Sequence, residues 1–212
     1  MDEEGLFLEI TDDYRTIQEF DVSWDYKNHK ADKLYNTVCV SIYQGRETVA
    51  YLESEMFYDS TIEDEGYDLV TVADDSMYSD AVEAMTVLSE RELPVEDNEF
   101  DFLRLPATTI YLHHIAVRDD YRGRGIGSWL LRNLPDILTI NYQVCLGSII
   151  AKLYPETITW REGGPSFSPD LGDPKESDEM FSVMKKLFVS NGYVRHRDTL
   201  FFIKDFACHE ND

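Results

Sequence analysis

The chain has 212 residues, 43% of them hydrophobic and 13% aromatic, and a formal net charge of -23. This length and hydrophobic content favour one packed domain over a disordered chain. No stretch of the sequence approaches the roughly 20 apolar residues that a membrane span requires, and strong acidity argues against nucleic-acid binding. We therefore expect neither a membrane nor a nucleic acid as partner.

The charge is unevenly distributed along the chain. Residues 1–100 carry 27 acidic and 6 basic side chains, whereas residues 101–212 carry 15 and 13. An acidic surface can serve solubility alone, or it can attract a cationic partner. The acidic start MDEEGLFLEI differs from a basic secretory signal, so a cytoplasmic protein is expected. The three cysteines lack metal or redox spacing, so we expect reduced thiols and no bound metal.

The first half of the sequence predicts a hairpin and a helix. Residues 37–58 form two β-rich runs joined at Gly45, which is typical of a hairpin. Residues 67–72 predict a short strand, and apolar residues at helical spacing predict a helix over 79–90. Residues 1–35 show no clear period.

The second half predicts alternating strands and helices. Residues 108–117 predict a buried strand, and the helix that begins at Ile126 should kink or end at Pro135. Residues 143–151 predict another strand, and residues 155–177 a long loop that is functional or mobile. A helix should run from Ser177 to Gly192, followed by strands at 193–196 and 200–204. This alternation predicts a mixed α/β or α+β sheet.

The stretch YLHHIAVRDDYRGRGIGSWLLRNL, residues 111–134, joins a strand to a helix through a glycine-rich basic turn. Gly123, Gly125 and Gly127 let the backbone come close to a ligand, and the N–H groups at a helix start can bind an anion. Arg122 and Arg124 add positive charge that suits phosphate. The turn therefore predicts a phosphate-binding loop.

Two common phosphate-binding motifs do not fit this turn. The dinucleotide fingerprint needs a glycine where the chain has Ser128, and an acidic residue about 20 positions further on. The nucleotide-triphosphate loop needs a lysine followed by serine or threonine, and no lysine follows these glycines. The pattern Arg122-x-x-Gly125-x-Gly127 after a strand instead resembles the pyrophosphate loop of the GNAT superfamily of acyl-CoA-dependent N-acyltransferases.

Other segments support the resemblance, which covers roughly the second half of the chain. LGSIIAKLYPE is similar to the family's fifth strand, MKKLFVSNGYV to its closing helix and turn, and TLFFIKDF to its final strand. The resemblance implies one GNAT-like domain over 1–212, with a mixed, splayed β-sheet flanked by helices and an acidic insertion at 59–75. Residues 1–100 would form the acidic acceptor side, and residues 101–206 the acyl-CoA-binding half.

The resemblance also implies the reaction and the co-substrate. Acetyl-CoA would donate an acetyl group to a primary amine of a cationic acceptor, which is a small molecule or a protein, by direct attack. The strand and the loop would contact the co-substrate through a defined set of residues. These are Ile115, Ala116, Val117, Arg122, Gly123, Arg124, Gly125, Ile126, Gly127 and Ser128.

Candidates for the catalytic base lie on two strands. Strand alternation places Tyr111 and His113 on one face, with His114 pointing the other way. Tyr111 and His113 occupy positions from which some GNAT enzymes supply a base, and His113 is the first candidate. A histidine in a buried strand can equally be a hydrogen-bonded core residue. Glu53 and Glu55 of the hairpin are the next candidates, and each can equally be a solvent-facing strand residue.

One departure from the family pattern leaves a second function open. Phe188 occupies the position where the family often has a tyrosine that protonates the leaving thiolate, so the general acid is unassigned. The alternative is an interaction protein of the same fold that uses its acidic face to mimic nucleic acid or to occupy a basic partner. The sequence leaves the oligomeric state open, a homodimer included.

Overall fold

The computed structural model describes residues 6–15, 34–74, 76, 79–91, 107–161, 164–169 and 174–206. The helices of these residues are α1 (Asp59–Asp64), α2 (Leu69–Asp74), α3 (Ser79–Ser89), α4 (Ile126–Tyr142) and α5 (Pro174–Ser190). The strands are β1 (Leu6–Arg15), β2 (Tyr35–Gln44), β3 (Glu47–Tyr58), β4 (Ala107–Val117), β5 (Cys145–Lys152), β6 (Glu156–Arg161), β7 (Gly164–Pro169), β8 (Val194–Arg195) and β9 (Phe201–Asp205). None of the described helices combines the length and the apolar character needed to cross a membrane.

Seven strands form one mixed sheet in the order β1-β2-β3-β4-β5-β9-β8, and β6 pairs with β7 in a separate hairpin. Strands β4 and β5 are parallel, and the other pairs of the large sheet are antiparallel. Helices pack against both faces of this sheet. The predicted fold class, a mixed and splayed sheet flanked by helices, is confirmed.

Each face of the sheet buries its own apolar cluster. On one face, residues of α4 such as Leu130 and Leu134 pack with Val40, Leu52 and Leu112 of the strands. The other face, called the acceptor face below, is covered by α1 to α3. There, Ile62, Val72 and Met85 of those helices pack with Tyr111 and Ile150. The acidic insertion at 59–75 thus supplies α1 and α2, which are anchored by buried apolar side chains.

The structure confirms most of the predicted elements in position. These are the hairpin of β2 and β3, the helix α3, the strands β4, β5, β8 and β9, and the stop at Gly192. Gly192 has φ +86°, and the Tyr193 N–H bonds to the Phe188 carbonyl as in a Schellman motif. The unassigned start of the chain contains β1, while residues 16–33 lie outside the described residues.

Three predictions of local structure are wrong. Residues 67–72 are not a strand, because Asp68 caps a helix by accepting a 2.8 Å hydrogen bond from the Thr71 N–H. A kink or an end was expected at Pro135, and the expected end is wrong: α4 continues, since Leu131, Leu134 and Leu138 on both sides of Pro135 are fully buried and their packing opposes the roughly 3 kcal/mol cost of an internal proline.

The third correction concerns residues 155–177, which are not one long loop. They contain the β6–β7 hairpin and the first turn of α5, which begins at Pro174 and not at Ser177. Residues 162–163 and 170–173 of this segment lie outside the described residues.

Candidate active site

The glycine-rich turn has a backbone that its glycines make possible. After β4, a 3-10 turn at Asp119–Tyr121 leads to Gly123 with φ +74° and Gly125 with φ +82°. Both angles lie in the left-handed region, which costs most other residues about 1–2 kcal/mol. A Cβ at either glycine would meet nothing within 4 Å. The two positions therefore need glycine for backbone conformation, and the space beside them is open.

The start of α4 is suited to bind an anion. Gly125 is its N-cap and supplies no side-chain hydrogen bond to the first N–H groups of the helix. The first turn of an α-helix leaves N–H groups without an intrahelical partner and carries a partial positive charge. The helix has 17 residues, so its dipole is fully developed. This end of α4 offers backbone donors to a phosphate.

Two arginines are held around the turn. The Arg122 Nε donates to the Val117 carbonyl at 3.0 Å, and its guanidinium pairs with Asp119 at 2.9 Å. Arg124 donates to the Asp120 carbonyl at 2.8 Å, and its guanidinium carbon lies 4.9 Å from the centre of the Tyr121 ring. These contacts keep both positive charges beside the N-terminus of α4.

Gly127 serves a different purpose from the other two glycines. A Cβ there would lie 3.4 Å from Leu187 Cδ2 and 3.7 Å from Val117 Cγ2. These are ordinary van der Waals distances, so Gly127 lies where α4, α5 and the end of β4 meet, and a Cβ would fit there. Ser128, the next residue, accepts a 3.3 Å hydrogen bond from the Asn191 side chain.

Strands β4 and β5 separate halfway along β4. Their pairing ends where Leu112 faces Ala151, whereas β4 continues to Val117. On its other side β4 remains paired with β3, with Ile115 opposite Leu52 and Val117 opposite Ala50. Among the described residues, the edge of β4 that faces β5 thus has no strand pairing from His113 to Val117. The predicted contact residues Ile115, Ala116 and Val117 line this gap, which leads toward the glycine-rich turn.

A β-bulge lies at the point where the strands separate. Glu53 of β3 is opposite His114, and the next residue, Ser54, is opposite Leu112, so His113 is the extra residue of β4. A bulge of this kind puts two residues of one strand opposite a single residue of its partner. The expected alternation of His113 and His114 is therefore wrong, because the bulge places His114 on the same face as Glu53.

A buried cluster of three side chains, His113, Glu55 and Tyr111, lies where β4 and β5 separate. The His113 Nε2 lies 3.2 Å from the Glu55 Oε2, and these side chains are 3% and 0% exposed. The ring centres of Tyr111 and His113 are 4.3 Å apart in an edge-on arrangement. Burial lowers the pKa of His113, while the hydrogen bond with Glu55 opposes that shift. Burial also raises the pKa of Tyr111, so its hydroxyl stays protonated. The neutral imidazole can accept a proton.

His114 has a separate set of contacts on the same face. Its Nδ1 lies 3.0 Å from the Glu156 Oε2, and its ring stacks on Phe167 with centres 4.0 Å apart. The fourth predicted candidate, Glu53, accepts a 2.9 Å hydrogen bond from the Tyr51 hydroxyl. Its charge also acts on His113 and, like that of Glu55, opposes the lowering of the His113 pKa by burial. The sequence missed the roles of His114 and Glu156 because the bulge and the hairpin bring them together.

A polar chain continues from Glu156 along the acceptor face. The Tyr154 hydroxyl makes hydrogen bonds with Glu156 and Asp80, and these contacts together with burial raise its pKa. The Lys152 Nζ lies 3.0 Å from Asp80 and 2.7 Å from Glu83. Asp80 and Glu83 are three residues apart on α3, and this spacing is the one local signal that they share a helix face.

The β6–β7 hairpin covers the acceptor face near the bulge. Along β6, Glu156, Ile158 and Trp160 alternate with more exposed residues, so one side of the hairpin faces the sheet. Phe167 of β7 stacks on His114 and lies 6.0 Å, centre to centre, from the Tyr51 ring. The segment that was expected to be a mobile loop thus includes a hairpin that packs on β4, the strand that carries the candidate base.

Phe188 is part of the core in this structure. Its ring is 1% exposed and lies edge-on to Tyr193, with ring centres 4.9 Å apart. Burial raises the pKa of Tyr193, whose hydroxyl has no hydrogen-bond partner among the described residues. The position of the family's usual acid is therefore occupied by a packed apolar ring.

Two of the three cysteines, Cys39 and Cys145, lie among the described residues. In the part of the chain that the structure describes, no group of three or more His, Cys, Asp or Glu side chains could hold a metal ion. Cys39 is a free thiol and accepts a 3.1 Å hydrogen bond from Tyr51, as expected for a reduced cysteine. Cys145 is disulfide-bonded, so the expectation of reduced thiols is wrong there. Disulfide pairing depends on spatial proximity, which cysteine spacing does not reveal.

Comparison with known proteins identifies one family. The model described as the acetyltransferase (GNAT) family matches residues 7–139, which is more than half of the chain. A search of curated proteins found no match.

Several solved structures are similar to the chain. One is the toxin AtaT, in a mutant form bound to the C-terminus of the antitoxin AtaR and acetyl-CoA; it has 12% identity and a TM-score of 0.39, over 94% of this chain and 92% of that one. An agmatine N-acetyltransferase mutant has 12% identity and a TM-score of 0.38, over 79% and 74% of the two chains. A polyamine N-acetyltransferase of Drosophila melanogaster has 11% identity and a TM-score of 0.38, over 93% and 100%.

Proposed function

The chain belongs to the acetyltransferase (GNAT) family and is an N-acetyltransferase, and we propose that it transfers the acetyl group of acetyl-CoA to a primary amine of a cationic acceptor. The observation that carries the proposal is the glycine turn at the uncapped N-terminus of α4, beside the gap between β4 and β5. A pyrophosphate needs backbone donors that it can approach closely, and Gly123 and Gly125 leave that space open.

In this proposal the two parts of the chain have different substrates. Residues 101–206 bind acetyl-CoA, with Arg122 and Arg124 beside the phosphates and the unpaired edge of β4 along the pantetheine arm. Residues 1–100 contribute most of the acceptor side, and their excess of acidic side chains attracts a protonated amine. The acceptor itself is a small molecule or a protein amine.

The proposed chemistry is a direct displacement. The neutral amine nitrogen attacks the thioester carbonyl and a C–N bond forms; the C–S bond then breaks, the nitrogen loses a further proton to water as it becomes the amide nitrogen, and the CoA thiolate leaves and takes up a proton from water. Because an amine is protonated at neutral pH, it must first lose a proton before it can attack. His113 is the proposed base. Its lowered pKa keeps it neutral, and Glu55 orients its ring.

The acid that protonates the thiolate is left to water in this proposal. Phe188 cannot donate a proton, and its burial in the core excludes solvent from that position. Tyr111 contributes by packing against the imidazole, since its raised pKa makes the hydroxyl a poor proton donor. Glu53 and Glu55 are the next candidates if His113 is not the base.

A thiol-release assay with acetyl-CoA and a panel of primary amines tests the proposal. Turnover of any amine is the expected result, and it excludes the alternative of a purely binding protein. No turnover of any amine, by a protein that binds CoA, would contradict the proposal.

Substitution of His113 tests its assignment as the base. His113→Gln should keep CoA affinity and lower acetyl transfer by about 10²-fold or more, the usual scale for loss of a general base. The loss should shrink as the pH rises, because more of the amine is then already deprotonated. His196→Gln, in the turn between β8 and β9, is the matched control and should retain parental turnover. A His113→Gln variant that equals the parent at pH 7 would remove His113 from the mechanism.

A further inference from the structure

A cavity of about 600 Å³ lies at the far end of the acceptor face. The β2–β3 turn contributes Arg46 and Thr48 to its wall, and the segment after β4 contributes Arg118. The end of β6 closes it with Trp160 and Arg161. The cavity is therefore formed between the large sheet and the hairpin that covers it, and it is large enough for part of a small molecule.

The carboxylates that border the cavity are already paired. Arg118 lies 2.9 Å from Glu47 and 3.4 Å from Asp120. The remaining acidic wall residue, Asp119, lies 2.9 Å from Arg122 outside the cavity. Each acidic wall residue thus has a guanidinium partner, but Arg118 serves both Glu47 and Asp120 and offsets only one of their two charges.

Two cationic side chains of the wall are not compensated in this way. Among the described residues, neither Arg46 nor Arg161 has an ion-pair partner, and both side chains are exposed at the mouth of the cavity. Trp160, next to Arg161 on β6, presents a partly buried aromatic ring to the same space. Guanidinium groups bind carboxylate and phosphate through paired hydrogen bonds, and an indole packs on an alkyl chain or a planar group.

The hairpin joins this cavity to the proposed reaction centre. At one end of β6, Glu156 bonds His114, and four residues further along, Trp160 lines the cavity. Arg118, the residue directly after β4, likewise follows His114 by four residues. At about 3.3 Å per strand residue, both paths span about 13 Å. A ligand that extends along the hairpin would therefore reach from His114, the neighbour of the candidate base, to the cavity.

We propose that this cavity binds an anionic group of the acceptor, so that the acceptor is an amine whose other end, about 13 Å away, carries a carboxylate or a phosphate. The inference rests on the proposed function and changes one part of it, since only the reacting end of the acceptor is cationic and its opposite end carries negative charge. The acidic half of the chain attracts the ammonium end, while Arg46 and Arg161 bind the anionic end. The field of the protein would then orient the acceptor with its amine toward His113.

Charge-matched acceptors test the proposal. A linear ω-amino acid, a diamine and a monoamine, each about 13 Å long, are compared by kcat/KM in the thiol-release assay, with an ω-aminoalkyl phosphate as the second anion. The parent should prefer one or both anionic acceptors over the diamine at least tenfold. Arg161→Glu and Arg46→Glu should each raise KM for the anionic acceptors with little change in kcat, and should shift the preference toward the diamine. Arg132→Glu, an exposed arginine on α4, is the matched control and should leave the preference unchanged.

The outcomes separate this proposal from the proposed function. Two outcomes would overturn the anionic subsite and leave the acetyltransferase proposal intact. One is turnover of amines with no preference for an anionic end, and the other is a preference that persists in both Arg161→Glu and Arg46→Glu. If no amine is turned over, calorimetric titration of the ω-amino acid and the aminoalkyl phosphate into the parent and Arg161→Glu decides. Weaker binding to Arg161→Glu than to the parent supports the subsite. No binding to the parent, or equal affinity for the parent and the variant, overturns it.

Discussion

The substitution Gly125→Asp tests the co-substrate loop, and Gly66→Asp provides a matched control. Gly125 has φ +82° and Gly66, between α1 and α2, has φ +80°. A Cβ at either position meets nothing within 4 Å. The cost to the free protein is therefore mainly the left-handed backbone, about 1 kcal/mol in both variants. For a chain of this size we expect both melting temperatures to fall by about 2–4 °C.

The effect on CoA binding should separate the two variants. At Gly125 the new carboxylate occupies the open space at the N-terminus of α4, where it blocks the backbone and repels phosphate. We expect CoA affinity to fall at least about 100-fold, or about 2.7 kcal/mol, in Gly125→Asp and to stay at the parental value in Gly66→Asp. Calorimetric titration measures both. A folded Gly125→Asp variant with parental CoA affinity would refute the loop assignment, and equal losses in the two variants would trace the effect to stability alone.

Three further predictions concern Arg122, Asp59 and Phe167. Arg122→Ala should weaken CoA binding by about 1.5–3 kcal/mol if the guanidinium makes a charge-assisted bond to phosphate, and a titration that detects no change would leave it a surface charge. Burial raises the pKa of Asp59 to about 7, so its stabilising contribution is present at pH 4 and lost as the pH rises through 7. Asp59→Asn should therefore gain stability relative to the parent between pH 4 and pH 8, by at most about 4 kcal/mol in chemical denaturation, and a constant difference would contradict the raised pKa. Phe167→Ala should loosen the β6–β7 hairpin from His114 and speed protease cleavage within residues 155–177. Acetyl-CoA should slow that cleavage in the parent. Cleavage rates that change with neither the substitution nor acetyl-CoA would mean that this hairpin is not a lid.

The sequence was most informative where structure is determined locally. The β-branched run 108–117, the three glycines and the start of a helix at Ile126 predict a strand, a turn and a helix because backbone sterics and hydrophobic periodicity act within a few residues. The structure confirms these elements at nearly the predicted bounds. The same local pattern carried the family resemblance, which the match over residues 7–139 confirms.

Predictions failed where distant segments decide the conformation. Residues 69–74 are apolar enough for a strand, yet burial of Val72 against the sheet residues Tyr111 and Ile150 favours a helix there. Pro135 remains inside α4 because leucines on both sides of it are buried. Residues 155–177 contain many turn-forming residues, and the β6–β7 pairing that organises them depends on packing against the acceptor face. Such effects depend on neighbours that lie far away in the sequence.

The amino-acid sequence alone determined the family, the fold class and the glycine-rich turn between β4 and α4, because each depends on short-range backbone geometry and on the order of elements. Only the tertiary structure decided which side chains meet. The bulge that puts His114 on the face of Glu53 arises from the register between β3 and β4, and the pairing of Glu55 with His113 depends on the same register. The contact of Glu156 with His114 requires a hairpin folded back over the sheet. Strand register and the docking of a hairpin are set by the packing of the whole core, and no local pattern encodes them.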